Sequence, residues 1–294
     1  MQKQSLEQLD ILSWDENFSQ EMQNRATEAL ESGKILYFPS LDFPLSKNEL
    51  PLLTPDKMNP KAKNISFDLQ HDTIGGLACS EEEQKLYKAF IKRYALAARR
   101  LMDHLLPYYQ STLKQAKTSY RPVEIFGRKT SYRKDDTRLH VDAFPSNPIQ
   151  GKRILRVFTN INTAGKPRVW RAGEPFQDVV NTFAPKVSGP FPGLAHLLQF
   201  IKITKSLRSS YDHYMLQIHD AMKGDMEYQR SVRQEELQFP PGSTWIVFTD
   251  LVSHAAMSGQ HVLEQTFYLP RDAGKYPERS PLAILEMYYN KALI

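Results

Sequence analysis

Arg138-Leu-His-Val-Asp-Ala-Phe144 is the stretch on which the reading of this chain turns. On an extended strand His140 and Asp142 stand two residues apart, so both side chains leave the same face. A neutral imidazole and a carboxylate at that spacing can take two adjacent positions on one metal ion. A second histidine from a distant strand completes a 2-His-1-carboxylate triad with three positions open. Such a site suits non-haem Fe(II), which must accept an organic co-substrate and O₂ beside its protein ligands. His-X-Asp alone is common in structural settings, and the surroundings decide. The motif follows a turn-rich stretch, Lys134-Asp-Asp-Thr137, and precedes a Pro-bounded loop, Pro145–Gly151. Another strand follows, which is the order of a double-stranded β-helix.

Two histidines compete for the distal position. His254 follows Thr244-Trp-Ile-Val-Phe-Thr-Asp-Leu-Val252, an apolar run suited to a core strand, whereas His261 comes after Gly259. His254 is preferred, because strand ends converge on a barrel mouth and the loop at Gly259 then turns the chain back. Asp250 reads as a cap or turn residue. His104, His213 and His219 fall at helical positions and read as packed or exposed.

An Fe(II) site of this kind calls for a cation to hold the distal carboxylate of 2-oxoglutarate. Many such enzymes carry an arginine on the strand after the distal histidine, yet residues 255–270 contain neither Arg nor Lys. The strand expected over 153–162 supplies one instead. By its period of two, Arg156, Phe158, Asn160 and Asn162 share a face suited to a barrel interior, and Leu155, Val157 and Ile161 share the face under the helices. Arg156 is the first choice, since a planar guanidinium can hold a carboxylate through two parallel bonds. Arg153 points the other way and is the reserve. Asn160, His261 and Gln265 are further candidates to assist.

Working outward, the chain has 294 residues, 41% of them hydrophobic, enough for a sizeable core and too apolar for disorder. One cysteine, Cys79, excludes an internal disulfide framework. No segment has the ~18 apolar residues of a membrane span, and the N-terminus lacks a secretory signal, so a cytoplasmic location is expected. Helices are expected over 19–32, closed by Gly33, and after a Ser80/Glu83 capping box, with Leu86, Phe90, Ala97 and Leu101 on one stripe. Strands are expected at 34–39, 123–126, 130–132, 138–142, 153–162, 243–250 and 261–269, ordered loop over 40–79, and a last helix over 282–293. The fold class this implies is α+β: a jelly-roll core with flanking N-terminal helices and a helical insertion. It reads as a single domain over 1–294, with an N-terminal helical part at 1–120, core at 121–172 and 240–270, and insertion at about 193–235.

Several separate runs look like one family. Leu139-His-Val-Asp-Ala-Phe-Pro-Ser146, Ile154-Leu-Arg-Val-Phe-Thr-Asn-Ile-Asn162, Tyr211-Asp-His-Tyr-Met-Leu216, His219-Asp-Ala-Met-Lys223 and Val247 to Gln260, followed by Leu263-Glu-Gln-Thr-Phe267, resemble the Kdo 3-hydroxylases. Kdo, 3-deoxy-D-manno-oct-2-ulosonic acid, is the acidic sugar that joins lipid A to the core of lipopolysaccharide. The resemblance implies an Fe(II)/2-oxoglutarate-dependent dioxygenase that uses O₂ to hydroxylate C3 of Kdo on Kdo-lipid A. It carries His140, Asp142 and His254 across as metal ligands and matches no motif for the co-substrate, so Arg156 rests on the strand argument.

The net charge of +5 then has candidate work. Arg128, Lys129, Arg133, Lys134 and Arg138 cluster before the metal motif, Lys63 lies in the early loop, and Arg168 and Arg171 flank Trp170. Lys63, Arg128, Arg133, Arg138, Arg168 and Trp170 are the candidates for binding the acidic glycolipid. Leu194 to Ile203 is apolar and bordered by Lys202, Lys205 and Arg208. This suits peripheral contact with the cytoplasmic face of the inner membrane, a packed helix or a subunit interface, so a homo-oligomer stays open. Acidic residues number 33 against 38 basic ones, which argues against nucleic acid as partner. The competing readings are a related oxygenase acting on a protein side chain or another small molecule, and a non-catalytic barrel binding an acidic sugar or lipid.

Overall fold

The computed structural model describes residues 5–128 and 130–294, so Lys129 of the basic cluster lies outside the described residues. In chain order the strands are β1 (Leu6–Gln8), β2 (Ile35–Phe38), β3 (Ile65–Asp68), β4 (Thr73–Gly75), β5 (Lys114–Arg121), β6 (Arg153–Asn160), β7 (Arg168–Ala172), β8 (Glu235–Phe239), β9 (Thr244–Phe248), β10 (His254–Ser258) and β11 (Val262–Leu269). The helices are α1 (Gln20–Glu31), α2 (Glu81–Leu105), α3 (Phe176–Phe183), α4 (Leu194–Phe200), α5 (Ser210–Gly224), α6 (Met226–Ser231) and α7 (Pro281–Tyr289). An eight-stranded sheet ordered β1-β2-β9-β6-β11-β5-β3-β4 faces a three-stranded sheet ordered β10-β7-β8. This α+β arrangement is the expected jelly roll with helices around it.

The two faces of the large sheet explain why it sits between two cores. Phe158, Trp245, Val247 and Val262 project towards the small sheet and meet Trp170, Ala172, Leu237 and Phe239. Phe239 and Trp245 stack with centroids 4.1 Å apart, and Trp170 meets Trp245 edge-on. Such aromatic pairs add about 0.5–1.5 kcal/mol each beyond their buried area. Leu155, Val157, Leu263 and Phe267 project the other way, into the larger core under the helices. Phe90, Tyr94, Ala98 and Leu101 of α2 close that core, and the Tyr94 hydroxyl donates to the Val157 carbonyl at 3.2 Å. The Ser80/Glu83 capping box is formed. Leu86, expected on the buried stripe, is exposed, because the stripe runs through Tyr87, Phe90 and Tyr94.

Several expectations are corrected. Residues 123–126 and 130–132 are turn and 3₁₀ backbone, since Glu124 folds back on the amides of Ile125 and Phe126. The loop at 40–79 contains β3 and β4, and the N-terminal 120 residues supply five strands, β1 to β5. The helical insertion begins earlier, with α3 at Phe176, and β8 starts within its expected C-terminal end. The last helix stops at Tyr289, where Asn290 takes a left-handed conformation. No helix among the described residues is long and apolar enough to cross a membrane.

Candidate metal centre

The segment carrying His140 is held straight without being a full strand. One bridge pairs it with β10: His140 N donates to the His254 carbonyl at 3.0 Å and His254 N returns the bond at 2.9 Å. Ala256 N adds a bond to the Asp136 carbonyl at 2.8 Å. The other edge has no neighbouring strand among the described residues. There the Gln229 carboxamide of α6 accepts from Leu139 N at 2.7 Å and donates to the Leu139 carbonyl at 3.0 Å. A side-chain amide thus does the work of a strand, and it leaves the alternation of His140 and Asp142 intact.

His140, Asp142 and His254 converge, with one ligand atom from each within 4.8 Å of the others. Each histidine engages its Nδ1 with a nearby carbonyl: His140 with Arg138 at 2.7 Å, His254 with Val252 at 2.8 Å. A carbonyl only accepts, so both Nδ1 atoms carry the proton and both Nε2 atoms present a lone pair. Burial holds both imidazoles below the usual histidine range, and His254 adds to the effect on His140. Trp170 stacks on the His254 ring at 5.0 Å, fixing its plane. His140 Nε2 lies 3.8 Å from Asp142 Oδ1. Asp142 Oδ2 lies 2.8 Å from Arg156 Nη2, an ion pair in which no N–H is aligned on the oxygen, and it makes no hydrogen bond among the described residues. Two oriented imidazole lone pairs and a carboxylate fit a divalent metal ion, and three protein ligands leave coordination positions for others.

Below the triad the barrel interior is lined with charge. Arg156 Nη1 meets Glu264 Oε1 at 2.5 Å, and Arg121 Nε donates to Glu264 Oε2 at 2.7 Å. Burial pushes Glu264 up, but Arg121 and Arg156 together hold its carboxyl below the usual range. Arg168, also inside, donates to the Gly259 carbonyl at 2.8 Å and meets no carboxylate within ion-pair distance among the described residues. Burial pushes its guanidinium down to about 10. The Nε atoms of Arg156 and Arg168 are both buried without a partner among the described residues. Gly259 makes the close approach to β7 feasible: at φ +104°, a Cβ there would sit 2.9 Å from the Pro167 carbonyl oxygen.

The remaining candidates separate by placement. Arg153 faces the helices and pairs with buried Asp250 at 3.0 Å, so Asp250 sits in a turn, as expected, and is an ion-pair partner there. His261 points to the same outer side, where its Nδ1 meets the Tyr120 hydroxyl at 2.7 Å. Gln265 does too, bonded to Thr118 at 2.6 Å and to Gln115 at 3.1 Å. Asn160 ties down the β6–β7 loop by donating to the carbonyls of Lys166 and Phe239. These four are therefore not gathered at the triad. At the rim, Lys63 pairs with Asp136 at 2.8 Å, Arg133 with Asp220 at 2.8 Å and Arg138 with Asp135 at 3.1 Å, while Arg128 is exposed. Trp170 and Arg168 lie inside the barrel and not on its surface. Sequence reasoning did not single out Glu264, Arg121 or Gln229. The period of β11 places Glu264 on the face opposite Leu263, which was a signal available for it.

A jelly roll whose small sheet presents an open, buried His–Asp–His triad above an arginine-lined interior defines a non-haem iron, 2-oxoglutarate-dependent oxygenase. A family model described as 3-deoxy-D-manno-oct-2-ulosonic acid (Kdo) hydroxylase matches residues 13–292, and the chain belongs to that family. A crystal structure of the Kdo hydroxylase KdoO, a non-haem Fe(II) α-ketoglutarate-dependent dioxygenase, in complex with α-ketoglutarate and Fe(III), is 52% identical. Its TM-score is 0.96, over 99% of this chain and 98% of that one. KdoO with cobalt(II) has a TM-score of 0.97 at 53% identity, over 99% of this chain and 98% of that one. No curated protein matches the chain.

Proposed function

We propose that this chain hydroxylates C3 of Kdo on Kdo-lipid A, using Fe(II), 2-oxoglutarate and O₂, with His140, Asp142 and His254 as the metal ligands. The observation that carries the reading is the pair of Nδ1-anchored histidines aimed with Asp142 at one point. When bound, the metal supplies the redox chemistry: O₂ and 2-oxoglutarate yield succinate, CO₂ and one oxygen atom inserted into a C–H bond.

The chain's own residues bind and orient. Arg156 stands between Asp142 and Glu264, its Nη2 beside Asp142 Oδ2 and its Nη1 on Glu264, while its Nε has no partner among the described residues. Arg168 carries buried positive charge that a carboxylate can neutralise. The distal carboxylate of 2-oxoglutarate is therefore set against Arg156 and Arg168. The aromatic wall of Trp170, Phe158 and Trp245 keeps water from the far end of the interior.

The lipid part of the substrate has a surface suited to it. Phe191 and Phe200 are 72% and 84% exposed, with Leu197, Ile201 and Ile203 also exposed. Lys202 and Lys205 border them, and both are exposed. Lys205 N donates to the Ser146 carbonyl and Arg208 to that of Pro145, four and three residues past Asp142. The apolar segment is thus tethered to the loop leaving the metal site, and we place it against an anionic lipid surface.

Anaerobic loading with Fe(II) and 2-oxoglutarate, followed by O₂ and Kdo-lipid A, tests the activity. Succinate formed in step with a mass gain of one oxygen atom supports it; succinate without oxidised lipid overturns the substrate. Arg156→Ala and Arg168→Met are each expected to raise the 2-oxoglutarate requirement about tenfold to a hundredfold. Sedimentation with anionic vesicles at low salt tests the lipid contact, and equal recovery of wild type and Phe200→Ser in the supernatant would remove it.

A further inference from the structure

His219 and Lys223 lie one helical turn apart on α5, both nearly fully buried, and neither belongs to the triad. The His219 ring meets His140 edge-on, with centroids 5.4 Å apart. Asp220 holds its Nδ1 at 3.0 Å, and its Nε2 makes no hydrogen bond among the described residues. Lys223 is the more unusual group. Its ammonium makes one hydrogen bond, to the Arg133 carbonyl at 3.1 Å, although it has three donors. No carboxylate lies within ion-pair distance of it among the described residues, whereas Lys63, Arg133 and Arg138 of the neighbouring rim each have one. A buried ammonium with two idle donors is costly to fold around.

The helix is fixed where these side chains need it. Arg138 donates to the Lys223 carbonyl at 2.7 Å, and Gln229, already bound to Leu139, donates to the Met222 carbonyl at 2.9 Å. Both ties run to the segment carrying His140. With the His219 ring against His140, these ties hold this part of α5 over the triad.

The substrate's covalent structure says what this charge is for. In a 3-deoxy-2-ulosonic acid, the carboxylate carbon and C3 are both bonded to C2, so they lie about 2.5 Å apart. A cation that receives the carboxylate must stand close to the metal-facing C–H bond, and the compensated cations of the rim do not qualify. We infer that Lys223 receives the carboxylate of the ulosonic acid and thereby selects C3 as the carbon oxidised. This inference rests on the Kdo reading above.

The test compares Kdo-lipid A with its C1 primary amide, which keeps the shape and removes the charge. Wild type is expected to lose about tenfold to a hundredfold in kcat/KM on the amide. Lys223→Met is expected to lose as much on the acid and little more on the amide, and Lys223→Arg to recover part of the loss on the acid. Equal wild-type kcat/KM on acid and amide overturns the inference whether or not the variants fold. So does a Lys223→Met penalty of the same size on both substrates; in either case the Kdo reading survives. A wild-type enzyme that oxidises neither substrate overturns both.

Discussion

Arg153 and Arg156 stand three residues apart on β6, both almost out of water, and they serve opposite ends. Arg153 faces the helices, pairs with Asp250 and lies 3.9 Å over the Phe248 ring. Arg156 faces the barrel and is shared between Asp142 and Glu264, with Nε left over. The first charge is closed off by its own carboxylate and a ring. The second is held open beside groups that converge on a metal position. Burial of an arginine is thus no sign of function by itself; what separates the two is which face of the strand the residue occupies and which groups it meets there.

Breaking each side should give a different kind of loss. The largest is expected at the triad: His140→Ala or His254→Ala lowers turnover by about a thousandfold or more, since several kcal/mol of transition-state stabilisation passes through the metal. Metal content after dialysis, read with turnover, checks it, and a variant that kept iron and activity would remove that residue from the ligand set. Next comes the outer pair. Arg153→Met leaves Asp250 buried and alone, which is expected to cost about 3–5 kcal/mol in urea unfolding. Turnover per folded molecule should stay within about twofold, as nothing at the triad changes. Replacing both partners, Arg153→Met with Asp250→Leu, should return stability to within about 1 kcal/mol of wild type or above it. A double variant as unstable as the single one would mean that Arg153 has a further role.

The same contrast shows what could be read before the fold was known. The alternation of β6 put Arg156 and Arg153 on opposite faces, and the apolar run 244–252 pointed to His254 as the residue meeting the His140 segment. The α1 and α2 helices were legible from their caps and stripes. What escaped was carried by partners distant in sequence. β5, Lys-Gln-Ala-Lys-Thr-Ser-Tyr-Arg, looks too polar for a central strand, but Gln265 satisfies Thr118 and Glu264 satisfies Arg121. The His140 segment looked like a strand, yet its outer edge is finished by Gln229, ninety residues on. α3 starts at Phe176, after Pro175 and without a side-chain cap, so no N-terminal signal announced it. His219 had the spacing of a packed helical residue, and only the position of α5 over His140 distinguishes it.

The smallest expected effect separates the carboxylates on the two faces by pH. Burial raises Asp250, and Arg153 offsets this only in part, so its carboxyl stays above the usual range. Burial also raises Glu264, but Arg121 and Arg156 outweigh it, so that carboxyl lies below. Linkage then gives opposite signs. The stabilisation from Glu264 is complete above its unfolded value near 4.5 and is lost as pH falls through the lower folded value. Asp250 takes up its proton in the folded state first, so on acidification it contributes in favour of folding. Neither group can change stability by more than about 1.4 kcal/mol per pH unit. With the metal chelated, the gap between wild type and Glu264→Gln should therefore narrow as pH falls from 5 towards 3. The gap between wild type and the Arg153→Met/Asp250→Leu pair should move towards wild type over its own acid range. Urea unfolding across that range reads both differences, and two gaps moving in the same direction would show that the inner and outer carboxylates are not set apart by their arginines.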